Sequence, residues 1–105
     1  MPVNGDVLRV GRITIDVPRR VVTKQGTPVR LSRREFELLR VLAASPGHVL
    51  PHRALLEGAW GPDRAKDTTY LRVFINQLRH KLEDDPSQPR LILTEPGIGY
   101  RLKIG

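Results

Sequence analysis

Hydrophobic and polar positions change period once along this chain, and the change divides it in two. From Val7 to Leu31 the apolar residues fall in short runs: Leu8 and Val10, then Ile13, Ile15 and Val17, then Val21 to Thr23, then Val29 and Leu31. Ile13-Thr14-Ile15-Asp16-Val17 alternates strictly, as a strand with one buried face does. Turn residues at Gly11, Pro18-Arg19-Arg20 and Gln25-Gly26-Thr27 separate the runs. Connections this short cannot cross over to make parallel pairs, so four antiparallel strands are predicted. Pro28 belongs at a strand start or on an edge.

At Ser32 the pattern becomes helical. Ser32-Arg33-Arg34-Glu35 has the form of a capping box, in which the serine oxygen and the Glu35 carboxylate satisfy backbone N–H groups. Phe36, Leu39 and Ala43, flanked by Leu38 and Leu42, give the first helix its apolar face, and Ser45-Pro46-Gly47 ends it. A short apolar link, Val49-Leu50, leads to a second helix from about Pro51 to Ala59 that packs through Ala54, Leu55 and Leu56. Gly58 and Gly61-Pro62 are read as its breakers, and Trp60 to Lys66 as a loop with Trp60 packed beneath it. Asp67 or Thr68 then caps a third helix.

The third helix divides into two faces. Leu71, Ile75, Leu78 and Leu82 recur at helical spacing and form the core stripe. Thr69, Arg72, Val73, Asn76 and His80 fall opposite, with Gln77, Arg79 and Lys81 on the flanks. Such a face is either a solvated surface or a base-reading one. It lacks the alternating Glu/Lys pairs of a solvated face, and it carries the Arg, Asn and Gln that read base edges in a major groove. Chemistry alone leaves the two readings level. The following segment tips the balance: Leu91 to Thr94 reads as a strand, Pro96-Gly97-Ile98-Gly99 as a turn and Tyr100 to Lys103 as the returning strand. Its two glycines allow a tight turn and close backbone approach. Tyr100 is expected as core or wing support rather than a stacking platform.

Composition narrows the partner class. The chain has 105 residues, enough for one domain with its own core. Its net charge of +7 points to a polyanionic partner. It contains no cysteine, which excludes disulfides and Cys-based zinc sites and fits a reducing cytoplasm. No apolar run approaches the roughly 20 residues of a membrane span. His48, His52 and His80 lack metalloprotease spacing, Asp84-Asp85 is read as the end of the third helix, and Glu35 and Glu37 suit a helix N-terminus. The residues therefore call for no enzyme, no cofactor and no metal.

From roughly Val7 to Leu102 the chain resembles the C-terminal effector domain of OmpR/PhoB-type response regulators. Four blocks carry the resemblance: Leu31-Ser32-Arg33-Arg34-Glu35-Phe36-Glu37-Leu38-Leu39, Arg53-Ala54-Leu55-Leu56 before Trp60-Gly61, Leu78-Arg79-His80-Lys81-Leu82, and Gly97-Ile98-Gly99-Tyr100-Arg101. It implies an α+β fold: a winged helix-turn-helix with an N-terminal four-stranded antiparallel sheet, three helices and a C-terminal β-hairpin wing. Trp60-Gly61-Pro62, Tyr70-Leu71-Arg72 and Thr94 to Arg101 look most like the potassium-responsive Kdp-type regulators. That subtype implies control of a potassium-transport operon.

The resemblance also assigns roles. It implies major-groove reading by Arg72, Val73, Asn76 and Gln77, with Thr69 and His80 on the same face. Arg79 and Thr94 fall on phosphate-contact positions, and Gly97, Tyr100 and Arg101 on the wing. The loop Trp60, Gly61, Pro62, Asp63 and Arg64 falls where relatives touch RNA polymerase. Some relatives place an arginine before the wing glycine to enter the minor groove; Pro96 stands there in this chain and argues against that route. Residues 1–6 read as a start or linker remnant and 7–105 as the effector domain. The receiver domain of such regulators, through which a cognate histidine kinase acts, has no counterpart here. Relatives bind tandem direct-repeat half-sites of double-stranded DNA. Two other classes stay in view. One is an RNA or single-strand binder, disfavoured because no aromatic interleaves with the basic stretches. The other is a general basic nucleic-acid-binding or protein-interaction winged helix.

Overall fold

The computed structural model describes residues 7–64 and 68–103, except the side chain of Arg64. The segment read as a linker (residues 1–6), Lys66 of the expected loop and Asp67 as a helix cap lie outside the described residues.

The alternating N-terminal segments form β1 (Val7–Val10), β2 (Ile13–Asp16), β3 (Val21–Lys24) and β4 (Thr27–Val29), an antiparallel sheet in that order. Ile15 lies between Leu8 and Val22 in register, and Val22 opposes Val29. Val10, Ile13, Ile15 and Val22 are thereby buried on one face, as the period of two requires. Pro28 sits on the edge strand β4, where its missing N–H costs no interior ladder bond.

Helix α1 (Arg33–Ala44) opens on the expected capping box: the Glu35 N–H donates to Ser32 Oγ at 3.2 Å and the Ser32 N–H to Glu35 Oε1 at 2.8 Å. Helix α2 (His52–Trp60) departs from expectation at both ends. Pro51 is its N-cap, and the helix runs through Gly58 to finish at Trp60, which is therefore helical and not part of a loop. Gly58 breaks nothing: a Cβ there would sit 2.9 Å from Val41 Cγ2, so its bareness lets α1 and α2 approach closely. Leu55, Leu56 and Ala59 face the core, while Ala54 is only half-buried. Pro62–Arg64 form a 3₁₀ turn.

Helix α3 (Thr68–Leu82) buries Leu71, Ile75, Leu78 and Leu82 and stops just short of Asp84-Asp85. Strands β6 (Ile92–Glu95) and β7 (Gly99–Leu102) make the hairpin, each shifted by one residue from the sequence reading. The apolar link proved to be a strand, β5 (Leu50–Pro51), pairing with β7 in a second sheet of order β5-β7-β6. Gly99 makes this possible, because a Cβ there would lie 1.9 Å from the Leu50 carbonyl oxygen. The close approach expected of the wing glycines is thus made by Gly99, against the chain's own backbone. One hydrophobic core joins both sheets to all three helices, including Ile92, Tyr100 and Leu102 of the hairpin.

Candidate nucleic-acid interface

With its apolar stripe buried, α3 must present its other side outward. On a helix turning about 100° per residue, Val73 and His80 lie roughly 180° from the core stripe. Asn76 and Gln77 flank that line on either side. Thr69, Arg72, Val73, Asn76, Gln77 and His80 are all exposed. The imidazole of His80 lies along the helix, its Nδ1 2.9 Å from the Asn76 carbonyl oxygen. Arg72 has no carboxylate partner among the described residues, and α3 itself contains no Asp or Glu.

Three acidic side chains of other segments are held in ion pairs. Glu37 binds Arg20 and Arg40, each at 2.8 Å, and Asp84 binds Lys24 at 2.9 Å. Glu35, only 3 % exposed, holds Lys81 Nζ at 2.5 Å, so α1's first turn is bolted to α3's last. Burial raises the pKa of Glu35. The Lys81 ammonium and the Ser32 backbone N–H outweigh that effect and leave it below the ordinary carboxylate value.

Arg79 ties helix to hairpin. Its Nε and Nη2 donate to the Ile92 carbonyl at 3.1 and 2.9 Å, and Nη2 donates to Thr94 Oγ1 at 2.7 Å. The guanidinium carbon stands 5.8 Å from the centre of the Tyr100 ring. Burial pushes the Arg79 pKa down, with Tyr100 and Glu83 acting the other way. The residue read as a phosphate ligand is therefore first a clamp. Its Nη1 is left without a partner among the described residues.

The hairpin tip, Pro96, Gly97 and Ile98, is exposed, and Ile98 N–H closes the turn onto the Glu95 carbonyl at 3.0 Å. Thr94 is exposed and opposes Tyr100 in register. Tyr100 is 5 % exposed, with its ring 5.5 Å from that of His52, so it supports the wing from within and lies too deep to stack on a base. Arg101, half-buried, pairs with Glu95 across the strands at 3.0 Å. Two of the three wing residues named from the sequence, Tyr100 and Arg101, thus have internal partners.

The 3₁₀ turn follows directly on α2. Trp60 packs edge-on against Phe74 of α3 at 5.0 Å, with the Arg34 guanidinium 5.9 Å away, while Pro62 and Asp63 are exposed. Arg34 also donates to the Ala59 carbonyl at 2.6 Å and so satisfies an orphan acceptor at the end of α2.

Two supports escaped the sequence reading. His52, at the start of α2, packs on Tyr100, and its N–H donates to the Ile98 carbonyl at 3.4 Å, tethering the helix to the wing tip. Glu83, 5 % exposed, accepts from the backbone N–H groups of Arg90, Leu91 and Ile92 at 2.8 to 3.1 Å. It fixes where β6 leaves the loop. Its one advance signal is an acidic residue at a helix C-terminus, where the helix dipole favours cations.

Among the described residues no group of three or more His, Asp or Glu side chains is placed to hold a metal, and no helix is long and apolar enough to cross a membrane.

Known proteins share this arrangement. Residues 26–102 match the family model described as transcriptional regulatory protein, C terminal. The transcriptional regulatory protein KdpE of Mycobacterium tuberculosis is 43 % identical over 97 residues, covering 92 % of this chain and 43 % of that protein. The KDP operon transcriptional regulatory protein KdpE of Escherichia coli is 41 % identical, covering 93 % and 44 %. The chain thus spans less than half the length of these relatives. Among solved structures, the Thermotoga maritima response regulator DrrB, an OmpR/PhoB homolog, superposes with a TM-score of 0.82 at 32 % identity over 93 % of this chain and 44 % of that one. The DNA-binding domain of Klebsiella pneumoniae RstA in complex with the RstA box superposes with 0.78 at 32 % identity over 92 % and 96 %. The chain belongs to the transcriptional regulatory protein C-terminal family, the winged-helix DNA-binding domain of OmpR/PhoB-type response regulators.

Proposed function

We propose that this domain binds double-stranded DNA sequence-specifically, as the effector part of a two-component transcriptional regulator. The observation that carries the reading is the outward ridge of α3, polar, free of carboxylates and directly opposite the buried leucines. A helix of this width enters the major groove. Arg72, Val73, Asn76 and Gln77 then face base edges, with Thr69 and His80 along the same line. The hairpin flanks it. Thr94 and the free Nη1 of Arg79 meet a phosphate, Gly97 brings the tip close to the backbone, and Arg101 adds charge from its place beside Glu95. Phosphate contacts set position and base contacts set sequence.

The remaining assignments extend the family reading. The exposed turn with Pro62 and Asp63, beside Trp60 and Gly61 and including Arg64, offers a surface for RNA polymerase. Tandem direct-repeat half-sites, and control by a histidine kinase through a receiver domain, follow from the regulators this chain resembles. The likeness to two KdpE proteins supports a potassium-transport operon as the target.

Selection of bound duplexes from a random pool tests the core of this reading, followed by salt titration of the winner. A defined consensus is expected, with a log–log salt slope near about −0.9 per phosphate contacted, against about −0.7 for single strands. Equal affinity for every duplex would overturn sequence specificity.

A further inference from the structure

The side chain at the centre of the proposed reading face is apolar. Val73 is 47 % exposed although α3 has ample apolar positions inside, and it points roughly 180° away from them. With Asn76, Gln77, His80 and Lys81 it lines a shallow open depression on the helix. Asn76 and Gln77 rise on the two sides of it, and His80 continues its line with the ring held against the Asn76 carbonyl. A valine here gains nothing from water, and among the described residues it belongs neither to the hydrophobic core nor to the side chains packed against it.

In a major groove, one base-edge group is apolar: the 5-methyl of thymine. We infer that Val73 and the depression around it form a contact site for a pyrimidine 5-methyl group, with Asn76 and Gln77 reading the neighbouring base edges. The inference rests on the major-groove placement proposed above and adds a chemical commitment to it: the bound sequence contains a thymine opposite Val73. A 5-methylcytosine at that place presents the same methyl and satisfies the same contact. Cytosine and uracil do not.

Replacing each thymine of the selected duplex in turn by deoxyuracil removes one methyl and leaves every hydrogen-bonding group in place. Affinity is expected to fall about fourfold at one or two positions, the equivalent of about 0.8 kcal/mol for one methyl taken from water. In Val73→Ser, which strips both valine methyls from an exposed site, the same duplexes should bind alike with thymine or deoxyuracil at those positions. Far-UV circular dichroism confirms that the variant is folded. A deoxyuracil penalty of the same size in Val73→Ser assigns the methyl to another residue and overturns the inference. So does the absence of any penalty in the unaltered chain. Both leave the proposed function standing, whereas a pool that yields no consensus removes that function first.

Discussion

Arg79 on α3 and Thr94 on β6 are joined by a 2.7 Å hydrogen bond, and the same guanidinium holds the Ile92 carbonyl. Helix and hairpin are thereby one rigid unit, with the wing held at a set distance from the reading face. Arg79→Ala is expected to weaken binding to all duplexes alike and to lower the salt slope by about 1. It should also reduce stability by about 1–3 kcal/mol, because the carbonyl of the buried Ile92 loses its charged donor. Urea unfolding alongside titration separates the effects. A change in sequence preference with an unchanged slope would contradict the assignment.

Asn76 and Gln77 are exposed on α3, so their loss should be silent in the free domain. Asn76→Ala or Gln77→Ala is expected to relax preference at particular base pairs by about 1–3 kcal/mol each. Melting temperatures should stay near that of the unaltered chain. Competition with single-position duplex variants checks both expectations.

Glu83 is a buried carboxylate whose whole task is backbone N–H groups. Glu83→Ala leaves three of them without an acceptor and is expected to cost about 3 kcal/mol, since unmade bonds to charged groups are expensive. Glu83→Gln keeps the shape but one acceptor oxygen, and should fall between. Hydrogen exchange at Leu91 and Ile92 would speed up in both. Unchanged exchange would mean that β6 is held without it.

Acid should loosen the joint between α1 and α3. The Glu35 carboxyl is depressed below its ordinary value of 4.5, as is that of Glu37, held chiefly by Arg20. A carboxylate depressed in the folded state contributes its stability above the unfolded pKa and loses it as pH falls through the folded one. Stability is therefore expected to be flat above about pH 5 and to decline below about 4.5. Glu35→Gln should flatten that decline; an unaltered acid limb would remove Glu35 as its source.

The turn after α2 offers a separation of function. Asp63→Ala, at an exposed site on the turn and not on α3, should leave DNA affinity unchanged and lower transcription in a reporter assay. Trp60 is the wrong probe, because its packing on Phe74 couples it to α3. Loss of DNA affinity in folded Asp63→Ala would refute the division of labour.

Local order decided what could be read from the chain alone. Alternation in Ile13–Val17, the Ser32/Glu35 capping box and the Leu71-Ile75-Leu78-Leu82 stripe each depend on neighbours within a few residues, so strand, helix start and buried face were all legible. With the core stripe known, the outward identity of Arg72, Val73, Asn76 and Gln77 followed from helix geometry. Contacts between distant segments were decided by the tertiary structure. Leu50 became a strand because β7 lies beside it, Gly58 serves as a close-packing point because Val41 fills the space a side chain would occupy, and Arg79 turned inward because the Ile92 carbonyl was there to receive it. Periodicity records which way a side chain points. What it meets there depends on how the rest of the chain packs around it.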